Sequence, residues 1–259
     1  MFYDTLTHPT LNGMWIDDRK GQTFSELYDY AIKNDIAGSC AVGLPNIGDY
    51  NHKKFMNEST KFSDFFYPVA AITKKNIDEI IMEIDEIESY GFQAIKIHPR
   101  FLGINFTSKD LTSIFEKCFR KNLVVFYCSY YHCNISKIST SDPYWTLIEA
   151  LKNSPDTKIV LLHGGGIELL KYAELARFNS NILIDLSLTL MKYDRSSIDN
   201  DIQFLFNNFD QRISIGSDHP EWEYKKIKQK LKLLTEDLDH KKMNNILKDN
   251  AQNFLGIKK

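Results

Sequence analysis

Eight short runs of β-branched and aromatic residues recur along the chain, at positions 2–8, 38–44, 66–72, 94–98, 123–128, 158–163, 181–187 and 212–217. Between most of them the apolar residues fall three and four apart, the spacing that gathers them on one face of a helix. The clearest case is Ile77, Ile80, Ile81, Ile84 and Ile87, with Gly91 as a C-terminal stop. Leu111, Ile114, Phe115, Cys118 and Phe119 repeat the pattern, and Asp142-Pro143 supplies a cap and a first-turn proline ahead of Trp145, Ile148 and Leu151. Further stripes cover 169–176, 198–206 and 224–234. Runs such as Ile-Val-Leu-Leu-His at 159–163 are too continuously apolar for a sheet with one wet face, so the strands are expected to be parallel and covered by helices. Eight such units within 259 residues match one α/β domain, a (β/α)8 TIM barrel spanning 1–259. A doubly wound open sheet is the alternative, but no Gly-x-Gly-x-x-Gly follows the first run.

Charge and composition narrow the partners. The chain carries 32 Lys+Arg against 34 Asp+Glu, a formal charge of −2 with no long run of one sign, which argues against nucleic acid. Neither a basic-then-apolar leader nor a window of about 18 uninterrupted apolar residues occurs. A soluble, cytoplasmic protein with no membrane partner is therefore expected. Four cysteines without a Cys-x-x-Cys spacing point to reduced thiols. The expected partner is a small-molecule substrate, and the sequence leaves homo-oligomerisation open.

In a barrel of this type the chemistry sits at the C-terminal ends of the strands. Polar residues accumulate there: Asp4 to His8 at the first, Lys96, His98 and Arg100 at the fourth, Cys128 to His132 at the fifth, His163 followed by three glycines at the sixth, and Asp218-His219 at the eighth. Strand alternation puts Lys96 and His98 on one face, and Asp4 and His8 on one face with Leu6 between them. Lys96, His98, Arg100, Tyr130 and His132 are candidate substrate-binding residues, the basic pair hinting at an acidic ligand. A salt-bridged Lys96 is an equally good reading. The segment 45–63 is polar and mixed, either a lid over the mouth or a plain connection.

Five stretches carry a likeness to a known family: YDTLTHPT, GFQAIKIHP, KIVLLHGGG, NILIDLS and RISIGSDHP, with NAQNFLGI near the end. In this order the chain resembles the amidohydrolase superfamily, in the amidohydrolase-related branch. That resemblance implies a barrel binding one or two divalent metals, with ligands among strand-1, strand-5 and strand-6 histidines, a carboxylated strand-4 lysine and a strand-8 aspartate. Carried over residue by residue, it makes His8, His163 and Asp218 the metal ligands, for zinc or manganese. The first histidine of the strand-1 pair is Leu6 here, and the strand-5 position is Cys128, or Tyr127 in the other register.

Two hydrolase mechanisms follow from the resemblance, with Asp218 and His163 as catalytic residues. In one, a bound metal activates water and Asp218 accepts its proton. In the other, a metal-free hydrolase or lactonase, Lys96, Arg100 and His163 polarise the carbonyl and hold a carboxylate while Asp218 serves as base. The substrate would be a small acidic amide, lactone or ester. A barrel that has lost catalysis and acts as a binding protein, or a non-oxidative decarboxylase of the same fold, are the alternatives.

Overall fold

A computed structural model describes residues 1–132 and 142–257. Eight strands, β1 (Phe2–Thr7), β2 (Ile36–Val42), β3 (Phe66–Ala71), β4 (Ala94–Ile97), β5 (Val124–Cys128), β6 (Ile159–Leu162), β7 (Ile182–Asp185) and β8 (Ile213–Ser214), follow one another around a single parallel sheet. This is the (β/α)8 barrel, with every strand inside one of the eight apolar runs except β2, which begins two residues ahead of the run at 38–44. The crossover helices are α1 (Phe24–Lys33), α2 (His52–Thr60), α3 (Ile77–Ser89), α4 (Pro99–Leu102), α5 (Ser108–Arg120), α6 (Pro143–Asn153), α7 (Leu169–Phe178), α8 (Thr189–Lys192), α9 (Ser197–Asn208) and α10 (Tyr224–Leu234). Two short helices, α11 (His240–Asn244) and α12 (Asn250–Leu255), complete the chain. None of the described helices is long and apolar enough to cross a membrane.

Alternation along the strands divides the apolar residues into two shells. Ile95, Ile97, Val125, Tyr127, Ile159, Leu161, Ile182 and Ile184 face outward into the helices. Cys40, Val42, Val69, Ala94, Val124, Phe126, Val160, Leu162 and Leu183 fill the interior, which is packed solid at this level. This settles the strand-5 register. Tyr127 packs outward, its ring edge-on to Phe115 at 6.4 Å, so Cys128 is the residue at the inner position. The segment 45–63 is largely a crossover: α2 buries Phe55 and Met56, with Phe55 against Phe24 at 4.9 Å.

Closure between β8 and β1 is unlike the other seams. The two strands meet only through single bridges, Asp4 with Ile215 and Thr7 with His219, and the register of β1 shifts between Asp4 and Thr7. Main-chain bonds from Thr5 N to Ile215 O, Asp218 N to Leu6 O and His8 N to His219 O, each 2.9 Å, hold the seam. The Asp4 carboxylate adds bonds from Ser217 N at 2.8 Å and from Ser217 Oγ at 2.5 Å. A side chain thus supplies bonds that a regular ladder would take from the main chain.

Candidate active site

The inward face of β4 brings Lys96 to the mouth of the barrel, where it is only 2% exposed. Its ammonium lies 3.3 Å from His8 Nε2. On the far side of that ring, Nδ1 is 2.6 Å from the Val42 carbonyl, which can only accept, so Nδ1 carries the proton and Nε2 is bare. Burial, and then the neighbouring Lys96, push the His8 pKa down to about 4 and keep the ring neutral. Trp15 stacks over it at 5.5 Å. An ammonium has three protons to donate, and His8 is the one acceptor Lys96 has among the described residues. Burial pulls the Lys96 pKa down, with Asp218 and Cys128 pulling the other way.

Asp218 is 13% exposed on its side chain and places Oδ1 3.4 Å from His8 Nε2. Burial opposes its charge, but His8, His163 and Lys96 outweigh burial and hold the carboxyl far below the usual range. Its backbone is left-handed, φ 54°, as is that of His163, φ 67°. Side chains rarely adopt this conformation, and such strain, on the order of 1–3 kcal/mol each, concentrates at functional positions.

His163 begins a turn in which Gly164, Gly165 and Gly166 also have positive φ. A β-carbon on Gly165 would stand 2.1 Å from the Tyr172 ring, so glycine is required for the chain to pass from β6 toward α7. The turn aims the imidazole at the mouth. His163 Nδ1 lies 3.1 Å from Ser187 O and 3.0 Å from Ser187 Oγ. Ser187 Oγ in turn donates to Asp185, which also accepts from Thr5 Oγ1. Asp185, Ser187 and Thr5 were not singled out from sequence. The Asp185-Leu186-Ser187 portion of NILIDLS was the available signal: a carboxylate ending a buried strand. Burial raises the Asp185 pKa against the pull of its hydroxyl donors.

Cys128 is 4% exposed, its thiol donates to Tyr130 O at 3.7 Å, and the His98 and His163 side chains both act on it electrostatically. His98 also caps α4, its Nδ1 accepting from Phe101 N at 3.3 Å. Further out, the Tyr130 ring carries Arg100 at 5.1 Å and Lys192 at 4.8 Å. Neither cation has a carboxylate partner among the described residues, and sequence reasoning missed Lys192. Arg100 also reaches the His132 carbonyl at 3.5 Å. The His132 ring stacks on Tyr131 at 4.5 Å and meets the edge of Tyr130 at 5.4 Å. Tyr131 turns away to donate to Glu168 at 2.8 Å. His219 lies in the wall, bonded to Gln22 Oε1 at 3.0 Å and stacked on Tyr224 at 5.7 Å. Cys133 lies outside the described residues.

The amidohydrolase family model matches residues 48–257, most of the chain. The protein belongs to the amidohydrolase family. Among solved structures this amidohydrolase is similar to an uncharacterized TIM-barrel protein from Bordetella bronchiseptica, at 16% identity and a TM-score of 0.81 over 98% of each chain. It is also similar to enamidase, at 11% identity and a TM-score of 0.69, covering 98% of this chain and 67% of that one. Dihydroorotase from Saccharomyces cerevisiae, in complex with 5-fluoroorotic acid, gives 12% identity and a TM-score of 0.64 over 100% of this chain and 84% of that one. These likenesses concern the fold. No curated protein sequence matches the chain.

Many amidohydrolases hold a divalent metal at this mouth, and here the donor set does not fit one. Leu6 takes the place of the first strand-1 histidine and is fully buried in apolar surroundings. The bare Nε2 of His8, the atom that would bind a metal, faces the Lys96 ammonium instead. No group of three or more His, Cys, Asp or Glu among the described residues is placed to hold an ion. Of the expected set of His8, His163 and Asp218, His8 and Asp218 meet, and the Lys96 ammonium shares the same His8 nitrogen.

Proposed function

We propose that this amidohydrolase is a metal-independent hydrolase of a small acyl compound bearing an acidic group, an ester or lactone before an amide. The observation that carries this reading is Lys96, a buried ammonium with a single described acceptor. Two of its protons point to a ligand oxygen, the work a metal does elsewhere in the family. Donors aimed at a developing oxyanion in a water-poor site give large rate effects, about a hundred- to a thousand-fold for one donor.

In this reading the substrate carbonyl lies against Lys96, and Asp218 holds the attacking water by accepting its hydrogen bond. Asp218 is too acidic to keep a proton at neutral pH. His163 is the better terminal acceptor, since Cys128 and Asp218 raise its pKa in spite of its burial. The same ring returns the proton to the leaving group. Arg100 and Lys192, flanking Tyr130, face the substrate's acidic group, and the planar guanidinium is suited to binding both carboxylate oxygens. Ester bonds rank first because their leaving group needs less protonation than an amine.

The test is a panel of small lactones, esters and amides with an added carboxylate, run on protein stripped of metal by chelation, alongside Asp218→Asn. Turnover should survive stripping and vanish in the variant. Activity that returns only with an equivalent of zinc or manganese would overturn the metal-independent reading. Full activity in Asp218→Asn would overturn the hydrolase assignment of that residue.

A further inference from the structure

We infer that Cys128 is a covalent nucleophile in this site, so that the barrel hydrolyses its substrate through a thioester. The inference rests on the hydrolase reading above and adds a step to it. Register brings the residues together: Ile97 pairs with Tyr127 and Cys128 with Leu162, so His98 falls opposite Cys128 and His163 one residue beyond it. Both imidazoles act electrostatically on the thiol, whose own proton is donated to Tyr130 O at 3.7 Å.

The two rings are held in opposite tautomers. His98 Nδ1 accepts from Phe101 N, so its proton is on Nε2 and it donates toward sulfur. His163 Nδ1 gives its proton to Ser187, so its Nε2 is bare and takes the proton of the thiol. Sulfur thus has a donor in His98 and a base in His163, to which the thiol proton passes when Sγ–H turns from Tyr130 O. The base is itself oriented by Ser187 and Asp185, which completes the nucleophile, base and orienting-group arrangement of covalent hydrolases. The other two described cysteines lack this setting. Cys118 lies in the outer shell and Cys40 in the barrel interior, where burial pushes both thiols up.

The proton count closes. His163 takes the thiol proton, and the thiolate attacks the carbonyl carbon of an ester or lactone, forming a C–S bond while the carbonyl electrons move to oxygen beside Lys96. Collapse breaks the C–O bond, and the alkoxide leaves with the proton from His163. Water held by Asp218 then gives a proton to His163 and attacks the thioester. The C–S bond breaks, the thiolate takes back the proton, and one water has been consumed for one acid and one alcohol.

Two measurements test this on the full chain. Limiting iodoacetamide, followed by peptide mapping, should label Cys128 before Cys118 and Cys40, and His163→Gln should slow that labelling at least about ten-fold. With 4-nitrophenyl acetate as acyl donor, Asp218→Asn should retain one acetyl group on the Cys128 peptide, and Cys128→Ala should hydrolyse the ester at least about a hundred-fold more slowly than wild type while melting at the same temperature. Cys128→Ala working at the wild-type rate would remove the covalent step and leave the hydrolase reading standing. Failure of iodoacetamide to favour Cys128 would overturn the inference whether or not the ester is hydrolysed.

Discussion

Lys96 and His8 meet ammonium to bare imidazole nitrogen, 3.3 Å apart, at the point where the two strands' inner faces converge on the mouth. The two halves of the pair are coupled. His8 can accept from Lys96 only while neutral, and Val42 enforces the tautomer that makes acceptance possible.

Lys96→Met separates chemistry from support. A buried ammonium whose protons are not all satisfied is costly, so an apolar side chain of similar length should leave the melting temperature unchanged or raise it. Turnover should fall by about a hundred- to a thousand-fold. Thermal melts and initial rates on one preparation check both, and a loss of stability in step with activity would make Lys96 a structural residue.

Ser187→Ala removes the hydroxyl between His163 and Asp185 but keeps the Ser187 carbonyl that fixes the tautomer. The expected result is a fall in kcat of about ten-fold with KM nearly unchanged, as is usual for groups that orient a functional histidine from behind. Steady-state kinetics decide it. A change confined to KM would place Ser187 in contact with substrate.

Stability should fall on acidification through the histidine range. His8 has its folded pKa near 4 against an ordinary value of 6.5, so the unfolded chain binds more protons between these values. The contribution of the neutral ring is full above about pH 6.5 and is lost as pH drops toward 4, on the order of 3 kcal/mol. His219, also lowered to about 4, adds in the same direction. Urea titrations across this range should show the slope, and His8→Gln should flatten it.

Arg100→Gln and Lys192→Gln should each raise KM for carboxylate-bearing substrates by about ten-fold, leave kcat in place, and have no effect on neutral analogues. Raising the salt concentration should mimic both changes in the wild type. An equal effect on neutral substrates would assign the two cations to support of Tyr130.

The fold was legible because each strand carries two independent messages, an outer face that must be apolar against helices and an inner face that becomes polar only near its end. Lys96, His98, His163 and Asp218 all announced themselves by breaking an apolar run at such an end. Asp185 did not stand out, because one carboxylate inside NILIDLS looks the same whether it faces water or a hydroxyl network. The meaning of Cys128 was equally hidden, since its two imidazole neighbours lie 30 positions before it and 35 after it in the chain. Their tautomers depend on Phe101 N and Ser187 O, main-chain groups that every residue possesses. Sequence names side chains, and these assignments are made by the backbone.

The Asp4 clasp on Ser217 has a consequence for colloidal behaviour. A closed barrel offers neighbouring molecules no free strand edge, and freed edges recruit strands from other chains. Elsewhere that closure is made by paired main-chain rungs, but at this seam the three main-chain bonds are supplemented by one carboxylate. Loosening it would bare β1 and β8 together while the helical shell stayed in place, so the first sign of a damaged clasp would be self-association of otherwise folded molecules rather than loss of helix.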